Sequence, residues 1–278
     1  MRRALLLLLA VAAARAQDPR ELVRRSIEQD QFDWVRMKDY TWQARSVAQR
    51  LDGKGKAQST KEEKWETLIF DGEFHRRILE RDGHPLSAAE QRRQEQKLDD
   101  LARKLSAETP EEKQRRVADA EKRRKHDFEF LSEIPDLFDL KLEGDAVVDG
   151  RPVWVVSGAP RPGARAKSRD AKMLLKVRGR MWIDKATYQW AKVEAETTGV
   201  ISWGLFLARL NPGARMVFEQ EEVNSAIWLP KHLLLSGSGR LGLLKRLAEQ
   251  DEIDWSNYRK FTVESKVLPG PPAGGARR

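Results

Sequence analysis

The chain offers few residues that could do chemistry together. Gly237-x-Gly239-x-x-Gly242 has the spacing of a dinucleotide-binding turn, between Leu233-Leu234-Leu235 and Leu243-Leu244-Lys245-Arg246-Leu247. Only 36 residues follow it, and they end in a Pro/Gly-rich tail. A dinucleotide fold needs further strand-helix-strand units beyond that point, so these glycines are read as places where a strand bends. The four histidines, His75, His84, His126 and His232, are never three or four residues apart, so no local metal pair is expected. Glu221-Glu222 alternate faces on a strand and cannot act as an acid–base pair. No G-x-S-x-G elbow surrounds a serine, and there is no cysteine to serve as thiolate nucleophile or zinc ligand. The expectation is a protein without catalytic residues, metal or cofactor.

The elements around these residues begin with an N-terminal leader. Met1-Arg2-Arg3 precedes the apolar run Ala4–Ala14, and Ala14-Arg15-Ala16 is a small-x-small cleavage pattern. The run is shorter than the roughly 20 residues that span a bilayer. Residues 1–16 therefore read as a cleavable signal peptide, directing the chain to the periplasm. The formal charge is +9, of which +6 remains once Arg2, Arg3 and Arg15 leave. A surplus of surface Lys and Arg accounts for it, and export argues against a nucleic-acid partner.

Leu22, Val23, Ile27, Phe32 and Val35 give helical spacing over 19–38, with Pro19 in the first turn. The period then falls to two. Strands are expected at 40–46, 62–70, 73–80, 139–148, 151–158, 180–184, 190–197, 214–223, 227–236, 238–256 and 258–267. Asp71-Gly72, Asp82-Gly83 and Asp149-Gly150 supply turns. The segment 201–210 (ISWGLFLARL) reads as a flap or short helix with one apolar side, or as a buried strand. Residues 86–126 interrupt the pattern with Glu, Gln, Lys, Arg and Ala. Ser87 with Glu90 forms a capping box, and Thr109-Pro110-Glu111-Glu112 starts a second helix. This is a charged helical hairpin inserted into a mainly β, antiparallel domain at 17–267, and 268–278 is a tail without structure.

The residues then suggest a family. Asp39-Tyr40-Thr41-Trp42, the run Trp182 to Glu194 (WIDKATYQWAKVE), and Glu219-Gln220 with Ile227-Trp228-Leu229-Pro230-Lys231 resemble the LolA/LolB-like superfamily of periplasmic lipoprotein-sorting proteins, in an acidobacterial-type form. The resemblance covers most of 20–267 apart from 86–126, and its motifs are diffuse. It implies a half-open antiparallel β-barrel closed by helices, whose apolar concave face takes a lipid or the acyl chains of a lipoprotein. Each methylene buried there contributes about 0.8 kcal/mol, so twelve carbons contribute roughly 10 kcal/mol before ordering costs. Such a site needs apolar strand positions rather than a polar signature. Trp42, Trp65, Trp154, Trp182 and Trp190 are candidates for the lining, equally readable as ordinary core. Trp203, Phe206, Leu207 and Leu210 are candidates for a greasy flap. A second reading is an envelope-stress regulator that senses lipid and docks an inner- or outer-membrane protein through the helical insert.

Overall fold

The computed structural model describes residues 17–70, 73–203, 208–241 and 245–260. Residues 1–16, expected as a signal peptide, Asp71 and Gly72, expected as a turn, and residues 204–207, 242–244 and 261–278 lie outside the described residues.

The first helix, α1 (Pro19–Arg36), starts where Asp18 accepts a hydrogen bond from the Arg20 amide and Pro19 fills a position that needs no donor. Strands β1 (Tyr40–Leu51), β2 (Ala57–Phe70), β3 (Glu73–Arg81) and the short β4 (His84–Pro85) follow as a meander. The insert forms α2 (Ala88–Ser106) and α3 (Pro110–Glu129). Its capping box is present as expected, with Ser87 and Glu90 each accepting from the other's backbone amide. Thr109 and Glu112 repeat the arrangement at the start of α3. A strap with one short turn, α4 (Ile134–Leu137), leads into β5 (Phe138–Val148) and β6 (Arg151–Pro160). After α5 (Ala171–Leu174) come β7 (Val177–Asp184), β8 (Trp190–Thr197), β9 (Ile201–Trp203), β10 (Ala208–Leu210), β11 (Arg215–Val223), β12 (Ile227–Leu241) and β13 (Lys245–Lys260).

The thirteen strands among the described residues belong to one antiparallel sheet; eleven of them run in the order β4-β3-β2-β1-β13-β12-β11-β8-β7-β6-β5, and the sheet does not close into a barrel. The last described strand returns to the first, with Tyr40 opposite Lys260 and Arg50 opposite Glu249. The hairpin β9–β10 lies off the main path, on the far end of β12. The mainly β, half-open fold with an N-terminal helix and a helical insert is thus the one expected.

Three local expectations change. The breaks at 237 and 257 do not end strands. Gly237 and Gly239 lie inside β12, where a Cβ on Gly239 would meet the Arg209 carbonyl at 2.2 Å, so glycine is needed for the close approach of β10. Asn257, at φ +56°, makes a bulge that β13 passes through. The third change is in α1. Phe32 and Val35 do not continue its buried face and are more than half exposed. The face set by Leu22, Val23, Ser26 and Ile27 runs on, at spacings of three and four, through Asp30 and Asp33. The helix is therefore held on the sheet first by apolar side chains and then by carboxylates.

Candidate functional site

The site is defined by what α1 covers on the sheet and what it leaves open. Leu22, Val23 and Ile27 pack on Val156, Met181, Ile183 and Trp190. One helix length further on, Met37 joins Tyr40, Trp42, Ala44, Trp65, Ile227 and Leu229 in a second cluster, with Trp34 against it.

Between the two, α1 is fastened by hydrogen bonds. Asp30 Oδ1 accepts from Trp190 Nε1 at 2.5 Å and from Gln220 Nε2 at 2.8 Å. Asp33 Oδ2 accepts from Gln189 Nε2 and from the Trp228 amide, both at 2.8 Å, while its Oδ1 meets Arg36 at 3.2 Å. Burial raises both carboxyls above their ordinary range. Asp30, which has no cation beside it, is pushed up to about 6, with the Gln220 and Trp190 donors opposing and Asp33 adding to the rise.

The Trp182–Glu194 segment brings Gln189 and Trp190 to the helix. Asp184, at the end of β7, accepts from the amides of Ala186 and Thr187 and from the Thr187 hydroxyl, folding a tight turn. Tyr188 completes the turn at φ +62°. Arg151 meets the buried Asp184 carboxylate at 2.7 Å. Burial alone would raise Asp184, but Arg151 and the Thr187 donors outweigh it and leave the carboxyl below its usual range. This motif is structural: it makes the turn that aims two side chains at α1.

Cross-strand partners share a face, so the face under α1 can be followed outward. Met181 and Val193 stand opposite each other, and Val193 is followed by Phe218, Leu233 and Ile253 in register. One step along the strands the row is Ala195, Met216 and Leu235. Met216, Phe218, Leu233 and Leu235 belong to none of the core clusters formed by the described residues. The first three are half-buried and Leu235 is 38% exposed. They form an open apolar strip across β11 and β12, bordered by Ile253 and Trp255 on β13.

The tryptophans expected to line a ligand are placed differently. Trp42 and Trp65 are buried in the second cluster, Trp42 edge-on to Phe74 and Trp65 under Arg76. Trp190 is buried and Trp154 half-buried in the cluster under α1. Trp182 falls between Met181 and Ile183 on β7 and so faces the other way, against Val153, Ala191 and Trp228 with Lys192 over its ring. These five cannot form one wall. The Trp203 side chain, Phe206 and Leu207 lie outside the described residues. The strip is hard to read in the sequence because Leu234, between Leu233 and Leu235, hides the period of two.

Other chemistry is sparse. His232, Glu252 and Asp254 converge from β12 and β13, an assembly that no local spacing reveals. His232 Nδ1 already lies 2.7 Å from Asp254, and Arg45 feels the charge of both carboxylates. Two surface grooves, about 530 Å³ on α2 and about 320 Å³ beside α5, are walled largely by charged side chains, and neither lies on the strip. Among the described residues no helix is long and apolar enough to cross a membrane.

No family model and no curated protein matches the chain. Its sheet is similar to solved structures of low identity. A domain from Vibrio parahaemolyticus, provisionally named an outer membrane lipoprotein-sorting protein domain, is 12% identical over 87% of this chain and 94% of its own, with a TM-score of 0.37. A DUF1329 family protein from Desulfovibrio piger is 16% identical over 90% and 96%, TM-score 0.34. A LolA superfamily protein from Nitrosomonas europaea is 8% identical over 89% and 96%, TM-score 0.31. At such values the functional reading has to come from this chain's own residues.

Proposed function

We propose that the protein is a non-catalytic binder, in the periplasm, of a lipid or of the acyl chains of a lipoprotein, acting as a carrier. The observation that carries this reading is the open strip of Met216, Phe218, Leu233 and Leu235. It continues the face on which α1 is seated, yet no described side chain packs it into a core. An acyl chain laid on it gains about 25 cal/mol for each Å² of apolar surface removed from water and needs no directional partner. The bound tail runs along β11 and β12, with α1 as one bank and Ile253 and Trp255 as the other. The test is native mass spectrometry of the protein purified from a periplasmic extract, together with titration of a fluorescent fatty acid. Co-purifying acyl species, and at least tenfold weaker titration for Phe218→Asp with Leu235→Asp, support the reading. A clean apo mass with no saturable fatty-acid binding overturns it.

A second reading, a lipid-sensing regulator that docks a membrane protein, draws on the insert. The 19 residues of α2 include no buried side chain, so the helix gives the core little. Arg116, bonded to Glu108 and Glu73, ties the hairpin to β3. Deleting residues 86–126 leaves lipid binding intact in a carrier and abolishes partner capture in a regulator.

A further inference from the structure

The segment after β6 carries a large surplus of positive charge. Between 161 and 180 there are eight Lys or Arg and one acid, Asp170. It is a built element, not a loose loop. Glu133 accepts from the amides of Lys167 and Ser168 at 2.7 and 2.9 Å, and Ser168 Oγ caps the Ala171 amide at 3.0 Å. Ala164, Ala166 and the buried Ala171 pack inward beside Leu174 and Leu175, on Leu137 and Phe138. Small inward residues alternate with long outward ones, so Arg165, Lys167 and Arg169 project to solvent, followed by Lys172 and Lys176, all exposed. Lys167 lies 3.8 Å from the exposed Asp136 and also interacts with the charge of Glu133. Lys176 Nζ donates to the Val200 carbonyl at 2.5 Å, which ties this ridge to β9. Val200 itself is 41% exposed, an apolar side chain at the foot of the cations.

The five cations outnumber the nearby carboxylates, Glu133, Asp136 and Asp170, so a positive surplus remains on this built backbone. That arrangement suits a surface of many negative charges. The ridge also stands at one end of the apolar strip. The Thr198 amide bonds the Lys176 carbonyl at 2.8 Å, Thr197 bonds Ala214 at 2.9 Å, and Met216 lies two residues further on. A bilayer, whose headgroups are anionic and whose interior is apolar, matches cations beside an exposed valine better than an acidic polypeptide does.

We propose that Arg165, Lys167, Arg169, Lys172 and Lys176 dock the protein on anionic phospholipid headgroups, with Val200 at the headgroup boundary. The docking face stands whether or not the strip carries a ligand. Each basic residue near such a surface changes partitioning roughly fivefold, and the attraction is screened over about 10 Å at 0.1 M salt.

The test is sedimentation of the full chain with vesicles of phosphatidylcholine alone or with 30% phosphatidylglycerol. One variant carries Arg165→Gln, Lys167→Gln, Arg169→Gln and Lys172→Gln. A control carries Arg92→Gln, Arg93→Gln, Lys97→Gln and Lys104→Gln on α2, with the same loss of charge. Circular dichroism confirms that both fold. The expected result is salt-sensitive binding to the phosphatidylglycerol vesicles only, reduced at least tenfold in the ridge variant and less than threefold in the control. Equal binding to both vesicle types, equal losses in the two variants, or binding to polyglutamate but not to vesicles overturns the proposal. Should the ridge variant misfold, the single substitutions replace it, and a loss confined to one of them also overturns it.

Discussion

One sheet face has two fates in this molecule. Over β6–β8 it is sealed by α1: Val156, Met181, Ile183 and Trp190 are buried under Leu22, Val23 and Ile27. Over β11 and β12 the same face carries Met216, Phe218, Leu233 and Leu235 half-open to solvent. The difference is not one of side-chain type, since both halves are aliphatic and aromatic. It lies in what the covering helix offers. From Asp30 onward the buried face of α1 presents carboxylates, which hydrogen-bond to the ends of β8, β11 and β12 and do not lie flat on apolar side chains. A polar seam thus interrupts the apolar face of α1 between its two packed clusters, and the strip on β11 and β12 lies in neither of them.

The contrast breaks most visibly through core truncation. Ile183→Ala, in the sealed half, should cost about 2–5 kcal/mol, while Leu235→Ala in the open strip should cost less than about 1 kcal/mol. Urea unfolding of the two variants measures both, and equal losses would mean that the strip is core. Next comes the seam. Asp30 titrates near 6 in the folded protein, against an ordinary value near 3.8. The folded state then holds the proton more tightly, so stability is greatest below about pH 4 and falls as pH rises toward 6. The fall is on the order of 2–3 kcal/mol. Asp30→Asn, which keeps the acceptor for Trp190 and Gln220, should flatten this part of the stability–pH curve.

Asp184 gives the opposite sign. Its carboxyl is held low once Arg151 is counted, so its contribution is present above pH 4 and is lost as pH falls through the folded value. Arg151→Met should cost about 1–3 kcal/mol at pH 7, because the carboxylate stays buried while the guanidinium it loses is partly solvated. The smallest effect belongs to the insert. Ser87→Ala removes an exposed cap and should lower stability by about 0.5–1 kcal/mol, with lipid titration unchanged.

Much of the architecture was legible from local signals. The Ser87–Glu90 box, the Thr109–Glu112 cap, the Asp149-Gly150 turn and the alternating strands are short-range patterns whose energetics are settled within a few residues. The continuity of β12 through Gly237 and Gly239 is not legible in the sequence, because glycine signals a break and a close approach alike, and only the position of Arg209 against Gly239 distinguishes them. The candidate site was less legible. Tryptophans were expected to line it because they are large and apolar, yet size also makes them good core, and Trp42, Trp65 and Trp190 are used that way.

The sequence by itself determined a cysteine-free, mainly antiparallel fold and a capped, charged helical insert. Each of these depends on neighbours along the chain. The tertiary structure decided which apolar residues remain open, how Asp30 and Asp33 become a buried seam, and how His232 meets Glu252 and Asp254. Those outcomes depend on strand register and on the rotation of one helix, which bring together residues up to 195 positions apart. No window of sequence contains such pairings.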